Sequence, residues 1–292
     1  MSQPPRRQRR ETEEEPRGIG GVPPFPAPGP ITALRVLGHG FEVALDEHRT
    51  ELRIGRNEPP IVDVQLPLLS ISSVHALLTR RSNALEVTDL GSKNGIAYRA
   101  PFLSHAPQTY VRCKRGERII VNVGDRFALS SAPLLALDAQ THKLVQPLTA
   151  YCGAGAHTDV DMALESIVRG DMLILHGSHR DDVLELARTL HTHSIRQGFP
   201  FTPVNAVPES EAAIEELCTQ AGCGTILLDL TEPFKIPPTF ARNLFQDHFH
   251  LWTIVVTRVV ADAMRCFGGA WCAPKRQDFS VCELGFPRTE WN

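Results

Sequence analysis

A chain of 292 residues has room for one large or two ordinary domains, and 42% hydrophobic with 22% charged residues is a soluble, globular composition. A formal net charge of −3 leaves no basic excess for a nucleic-acid surface. No apolar run approaches the roughly 20 residues that cross a bilayer, and the N-terminus lacks a signal peptide's apolar core, so a cytoplasmic location without membrane contact is expected. The seven cysteines are odd in number and irregularly spaced, with no C-x-x-C pair and no zinc-type Cys/His set, so buried thiols rather than a metal site are expected.

In chain order, residues 1–30 hold eight prolines and a run of Arg6, Arg7, Arg9 and Arg10 followed by Glu11, Glu13, Glu14 and Glu15. They offer too little apolar surface to offset the entropy of ordering and read as a disordered tail. A β-rich stretch follows, from 31–37 to 132–137. Within it Val62, Val64 and Leu66 alternate at strand period, and 77–78 and 85–87 are two further short strands around the polar turn 80–83. Three polar clusters lie at the strand ends: Gly55-Arg56, Ser72-Ser73-Val74-His75, and Asp89-Leu90-Gly91-Ser92-Lys93-Asn94-Gly95. A guanidinium fork, hydroxyls and a carboxamide on neighbouring loops suit a phosphate and the peptide beside it. The plain alternatives are a surface arginine at Arg56, a turn serine at Ser72 and a buried structural histidine at His75.

These clusters resemble the forkhead-associated (FHA) domain, a phosphothreonine-binding β-sandwich whose pattern is GR, then S-x-x-H, then D-x-x-S-x-N-G. Leu52-Arg53-Ile54 ahead of the GR, Arg115-Gly116-Glu117, and the later Val123-Gly124-Asp125-Arg126-Phe127 extend the resemblance over roughly residues 32–140. The resemblance implies phosphate ligands at Arg56 and Ser72, a third contact at Ser73, a hold on the peptide backbone at Asn94, and Lys93 beside it. Gly55, His75, Asp89 and Gly95 would support the site. Ser73 stands where the family usually has arginine or asparagine, and Ile96 where threonine usually follows NG. Thr12, in its charged context, is a candidate phosphorylation site whose product would be a ligand for this same domain.

After a polar connector at 141–150 the periodicity changes. Short strands at 172–175, 201–207, 224–229 and 251–256, most of them nearly all apolar, alternate with helical stretches at 183–190, 209–218, 238–246 and 259–266, which predicts a parallel α/β sheet over 151–267. This half resembles a truncated AAA+ domain of the sigma-54 activator type. The resemblance rests on 172–177, where a strand enters the phosphate loop, on Pro200-Phe201 to Asn205, on Gly224 to Asp229, and on Thr253 to Thr257. The departures imply lost chemistry. A phosphate loop needs small residues, a lysine and a hydroxyl, whereas this chain has Ser178-His179-Arg180-Asp181-Asp182-Val183. By register Val183 replaces the lysine, Leu230 replaces the glutamate beside Asp229, and the polymerase-contacting insertion is missing. Two aspartates at a helix N-terminus suit the helix dipole and repel a triphosphate. Residues 268–292, rich in proline and aromatics, read as a tail.

The expected protein is therefore multidomain: an all-β FHA sandwich at 31–140, then a degenerate P-loop AAA+-like α/β domain, with no cofactor and no enzymatic activity. Its expected partner is a phosphothreonine-containing protein, a Ser/Thr kinase or its substrate, with AAA+ proteins as further partners and no nucleic acid. The alternatives are a transcription regulator that joins or poisons sigma-54 activator assemblies, and an active ATPase.

Overall fold

Burial at every second residue shapes the first half of the chain. The computed structural model describes residues 28–99, 110–113, 116–170, 172–206, 210–245, 251–267 and 281–285. Thr12, Arg115 and most of the two expected tails lie outside them.

The first half runs β1 (Ile31–Val36), β2 (Phe41–Ala44), β3 (Glu51–Gly55), β4 (Val64–Gln65), β5 (Ala76–Arg81), β6 (Ala84–Asp89), β7 (Ile96–Arg99), β8 (Tyr110–Arg112), β9 (Arg118–Val121), β10 (Arg126–Leu129) and β11 (Ala132–Asp138). These strands make two mostly antiparallel sheets, in the orders β2-β1-β11-β10-β7-β8 and β4-β3-β5-β6-β9. In β6 the buried residues are Leu85, Val87 and Asp89, and in β3 Leu52 and Ile54 point the same way. They meet Leu34, Val36, Phe127, Leu129 and Leu134 of the other sheet in one core. Of the alternating run 62–66, only two residues form strand β4. Pro67 follows, and the chain turns there, with Leu68 N–H on Leu66 O at 2.8 Å.

β10 and β11 break the alternation: nearly all their residues are buried. The second half explains this, because it covers the outer face of β1, β10 and β11. β11 ends at Asp138, whose carboxylate accepts from Thr141 N–H at 2.7 Å and so caps α1 (Ala139–His142). Two helices come next, α2 (Val145–Cys152) and α3 (His157–Arg169). The stretch 141–150, expected as a polar connector, is therefore helical: Thr141, Leu144 and Leu148 are buried at i, i+3 and i+7.

The chain continues through β12 (Met172–His176), α4 (Arg180–His193), β13 (Phe201–Val204), α5 (Glu211–Ala221), β14 (Thr225–Asp229), α6 (Pro238–Phe245), β15 (Trp252–Thr257) and α7 (Val260–Phe267). The strands form a parallel sheet ordered β13-β14-β15-β12-β16, all neighbours parallel. Its last member, β16 (Val281–Gly285), comes from the expected C-terminal tail and pairs with β12 from Met172↔Val281 to His176↔Gly285. β14 and β15 are buried throughout because helices cover both faces. α5, α6 and α7 pack on one face through Ile214, Phe240 and Ala263. On the other face α2, α3 and α4 share one core with Leu173, Leu175, Ile254 and the outward residues Ala33, Leu37, Leu135 and Leu137 of the sandwich.

α3 is thus a layer between two sheets, and its buried carboxylates Asp161 and Glu165 are paired inside that layer. Buried Arg35 of β1 pairs with Asp161 and with Glu42, Asp161 Oδ2 accepts from Gly38 N–H at 2.7 Å, and buried Arg126 pairs with Glu165. Two sandwich glycines admit α3: a Cβ on Gly40 would meet the His157 ring at 2.2 Å, and one on Gly124 would meet Val168 at 2.1 Å. Among the described residues no helix is long and apolar enough to cross a membrane.

Candidate functional site

The three polar clusters converge at one end of the sandwich. β3 delivers Gly55 to a point where a Cβ would lie 2.4 Å from Ser73 O and 2.9 Å from Val74 Cα, so only glycine lets the β3–β4 and β4–β5 loops touch. The contact is sealed by Arg56 N–H to Ser72 O at 3.0 Å and Asn57 N–H to Ser73 O at 3.1 Å. Arg56 and Ser73 are exposed, and Ser72 is half-buried. Ser72 Oγ accepts from Lys93 N–H at 3.0 Å, which joins the β6–β7 loop to the other two and leaves the serine O–H to donate. Lys93 itself is exposed.

Asp89 and Gly95 shape the β6–β7 loop. Asp89 Oδ1 accepts from Ser92 N–H and Ser92 Oγ accepts from Gly95 N–H, each at 2.9 Å. Gly91 and Gly95 take φ of 84° and 75°, a left-handed region that favours glycine. His75 lies behind both loops, fully buried. Its Nδ1 accepts from Ser72 N–H at 3.1 Å and its Nε2 faces Gly95 O at 3.0 Å, so the neutral ring carries its proton on Nε2 and donates it to Gly95. Burial pushes the His75 pKa below the ordinary value, against the opposing pull of Gly95 O and Asp89. Asn94 Nδ2 donates to Ser70 O at 3.3 Å and to Ser130 Oγ at 2.9 Å. Ser130, on the β10–β11 turn, carries no sequence signal: it lies 36 residues from Asn94 and belongs to none of the three clusters.

A second group sits at the carboxyl ends of the parallel strands, where ligands of such sheets usually bind. There Arg180, the first residue of α4, donates from Nε to Asp229 Oδ2 at 2.9 Å and pairs with the same oxygen through Nη2. Asp229 Oδ1 accepts from Thr231 N–H at 3.2 Å and from its hydroxyl at 2.6 Å. Burial raises the Asp229 pKa, but the Thr231 hydroxyl and the Arg180 guanidinium outweigh it and hold the carboxyl below its ordinary value. Val183 and Leu230 are fully buried in the core. Among the described residues no group of three or more His, Cys, Asp or Glu side chains is placed to hold a metal ion.

Residues 52–130 match the FHA domain family model, and the first half of this chain is an FHA-type β-sandwich. Among solved structures, the FHA domain of the CT664 protein from Chlamydia trachomatis is 26% identical with a TM-score of 0.29, covering 36% of this chain and 95% of that one. Mycobacterium tuberculosis EmbR in complex with a low-affinity phosphopeptide is 19% identical with a TM-score of 0.29, over 37% of this chain and 24% of that one. The FHA domain of human APLF in complex with an XRCC1 bisphospho peptide is 22% identical with a TM-score of 0.29, over 36% of this chain and 96% of that one. Comparison with curated proteins finds no match. The family match ends at residue 130, ahead of the parallel sheet.

Proposed function

We propose that this chain is a non-enzymatic, cytoplasmic signalling protein that binds phosphothreonine peptides through the loops of its FHA-type sandwich, with Arg56 and Ser72 on the phosphate. Ser73 and Lys93 flank them, Asn94 holds the peptide main chain, and Gly55, His75, Asp89 and Gly95 fix the loops. The observation that carries this reading is the joining of three loops by Arg56 N–H to Ser72 O and Lys93 N–H to Ser72 Oγ. A cation and a hydroxyl donor then stand on adjoining turns, as a phosphate dianion requires. The match of residues 52–130 to the FHA domain family model supports it. The partner on this reading is a Ser/Thr kinase or its substrate, phosphorylated on threonine.

The second half, divided from the first near 141–150, acts on this reading as a docking platform, an AAA+-like sheet without its chemistry. The Arg180–Asp229 pair occupies the carboxyl end of β14, where a nucleotide's metal would sit, and Val183 in the core cannot serve a terminal phosphate. That disfavours an ATPase. The sigma-54 reading loses support from the β13–β14 connection, in which α5 is the described element and no long insertion fits.

A phosphothreonine peptide array probed with wild type and Arg56→Ala tests the reading. Removing one charge-assisted pair costs about 2–3 kcal/mol, a loss of roughly 30- to 150-fold in affinity. Equal binding by the two proteins, or equal binding of phosphorylated and unphosphorylated peptides, would refute it.

A further inference from the structure

We propose that Ser130 is a positioning residue of the phosphopeptide site: it locks the Asn94 carboxamide so that the site offers the ligand an acceptor, and thereby selects a main-chain N–H of the bound peptide. The inference rests on the phosphopeptide reading above and deepens it.

An amide nitrogen has two N–H donors, and in Asn94 both are engaged, one by Ser70 O and one by Ser130 Oγ. Only Oδ1 is left for a ligand, and an oxygen with two lone pairs takes an N–H. Without the Ser130 hydroxyl, the single 3.3 Å contact to Ser70 O no longer fixes which end of the carboxamide points outward, and the group is free to turn over.

The backbone at Ser130 makes the same point independently. Its φ is 59°, in the left-handed region where a side chain is strained and glycine is not. The turn needs only the backbone bond from Ser130 N–H to Gly95 O at 3.0 Å, which glycine would make equally well. What serine adds at this strained position is the hydroxyl that meets Asn94. Ser130 N–H and His75 Nε2–H also converge on the same Gly95 carbonyl, so the β10–β11 turn is tied into the loop network that holds Ser72.

Ser130→Gly separates positioning from structure, because it relieves backbone strain while it deletes the hydroxyl. The probe is the tightest phosphothreonine peptide the wild-type chain selects from an array, titrated calorimetrically. Ser130→Gly is expected to keep or raise the melting temperature and to weaken binding about three- to tenfold. In an Asn94→Ala background the same change is expected to cost nothing further. Wild-type affinity in Ser130→Gly, or an undiminished loss in the Asn94→Ala background, overturns the proposal. If no phosphothreonine peptide binds the wild type, the phosphopeptide reading itself fails. Ser130 is then judged on the Asn94 side-chain amide resonances, and two protected N–H signals that persist in Ser130→Gly overturn its role.

Discussion

Asp161→Ala tests whether the two halves stand or fall together. Arg35 is 1% exposed and lies on the outer face of the sandwich, where its guanidinium pairs with Asp161 of α3 and Glu42 of β2. Removing one partner of a buried ion pair costs about 3–5 kcal/mol, because the survivor keeps its desolvation penalty. Glu42 remains, which puts the charge contribution near the lower end, at about 3 kcal/mol. Gly38 N–H also loses its acceptor, adding about 1 kcal/mol. The sum of about 4 kcal/mol corresponds to a melting temperature lower by roughly 10 °C for a chain of this size. Asp161→Asn, which keeps an acceptor, should cost less, and Glu42→Ala less still, since Glu42 reaches solvent. The assay is urea unfolding followed by two probes: tryptophan fluorescence, since all three tryptophans lie at 252 and beyond, and hydrogen exchange at Leu34 and Val36 of the sandwich. One shared core predicts coincident midpoints that shift together. A fluorescence midpoint that stays put while the sandwich amides open earlier would refute the reasoning, as would a loss below about 1 kcal/mol.

Gly55→Ala must push the β3–β4 and β4–β5 loops apart, since its Cβ would lie 2.4 Å from Ser73 O; a loss of about 2 kcal/mol in stability and more than about tenfold in phosphopeptide affinity is expected, read by thermal melting and calorimetry. His75 has a folded pKa below its unfolded value, so the stability of its neutral state is complete above the ordinary histidine pKa and is lost as pH falls through the lower folded value. His191, buried against Thr225, is shifted the same way by burial. The fall in melting temperature from pH 7 to pH 5 should therefore shrink in His75→Gln, and an unchanged fall would remove His75 from the account. In Arg180→Ala the Asp229 carboxyl should titrate at higher pH, because burial is then opposed by Thr231 without the guanidinium. Carbon-13 detected titration reads this, and an unmoved titration would mean the ion pair is not formed in solution.

What could be read from the sequence followed from how local each signal was. The GR, S-x-x-H and D-x-x-S-x-N-G clusters sit at strand ends that period-two burial defines, so residues and spacing together placed Arg56, Ser72 and Asn94 on adjoining loops. Strands β12, β14 and β15 were legible as unbroken apolar runs. α3 was legible in principle: Val160, Ala163, Leu164 and Ile167 fall at i, i+3, i+4 and i+7. Asp161 and Glu165, interleaved with them, look like a solvated face until Arg35 and Arg126 are seen across from them. β16 had no legible pattern beyond one short run amid prolines and aromatics, and its pairing with β12 is set by the sheet. Ser130 with Asn94 and Arg180 with Asp229 are contacts 36 and 49 residues apart between side chains, which no local period encodes.

The α3 layer also decides which surfaces remain for partners. Because Ala33, Leu37, Leu135 and Leu137 share one core with α2, α3 and α4, the outer face of β1 and β11 is buried within the chain and closed to partners. α3 begins beside the β1–β2 turn, where His157 lies on Gly40, and ends beside Gly124 at Val168. The β1–β2 turn is held to the strand that leaves the Ser130 turn, through Leu37 N–H to Pro133 O at 3.0 Å. At the same end, Tyr151 of α2 donates its hydroxyl to His176 O, where β12 opens into the Arg180 loop, at 3.0 Å. Through these contacts and the shared core, the turn that carries Ser130 is tied to the carboxyl end of β12. The relation between the two halves is therefore set by packing on α2 and α3 rather than by a tether.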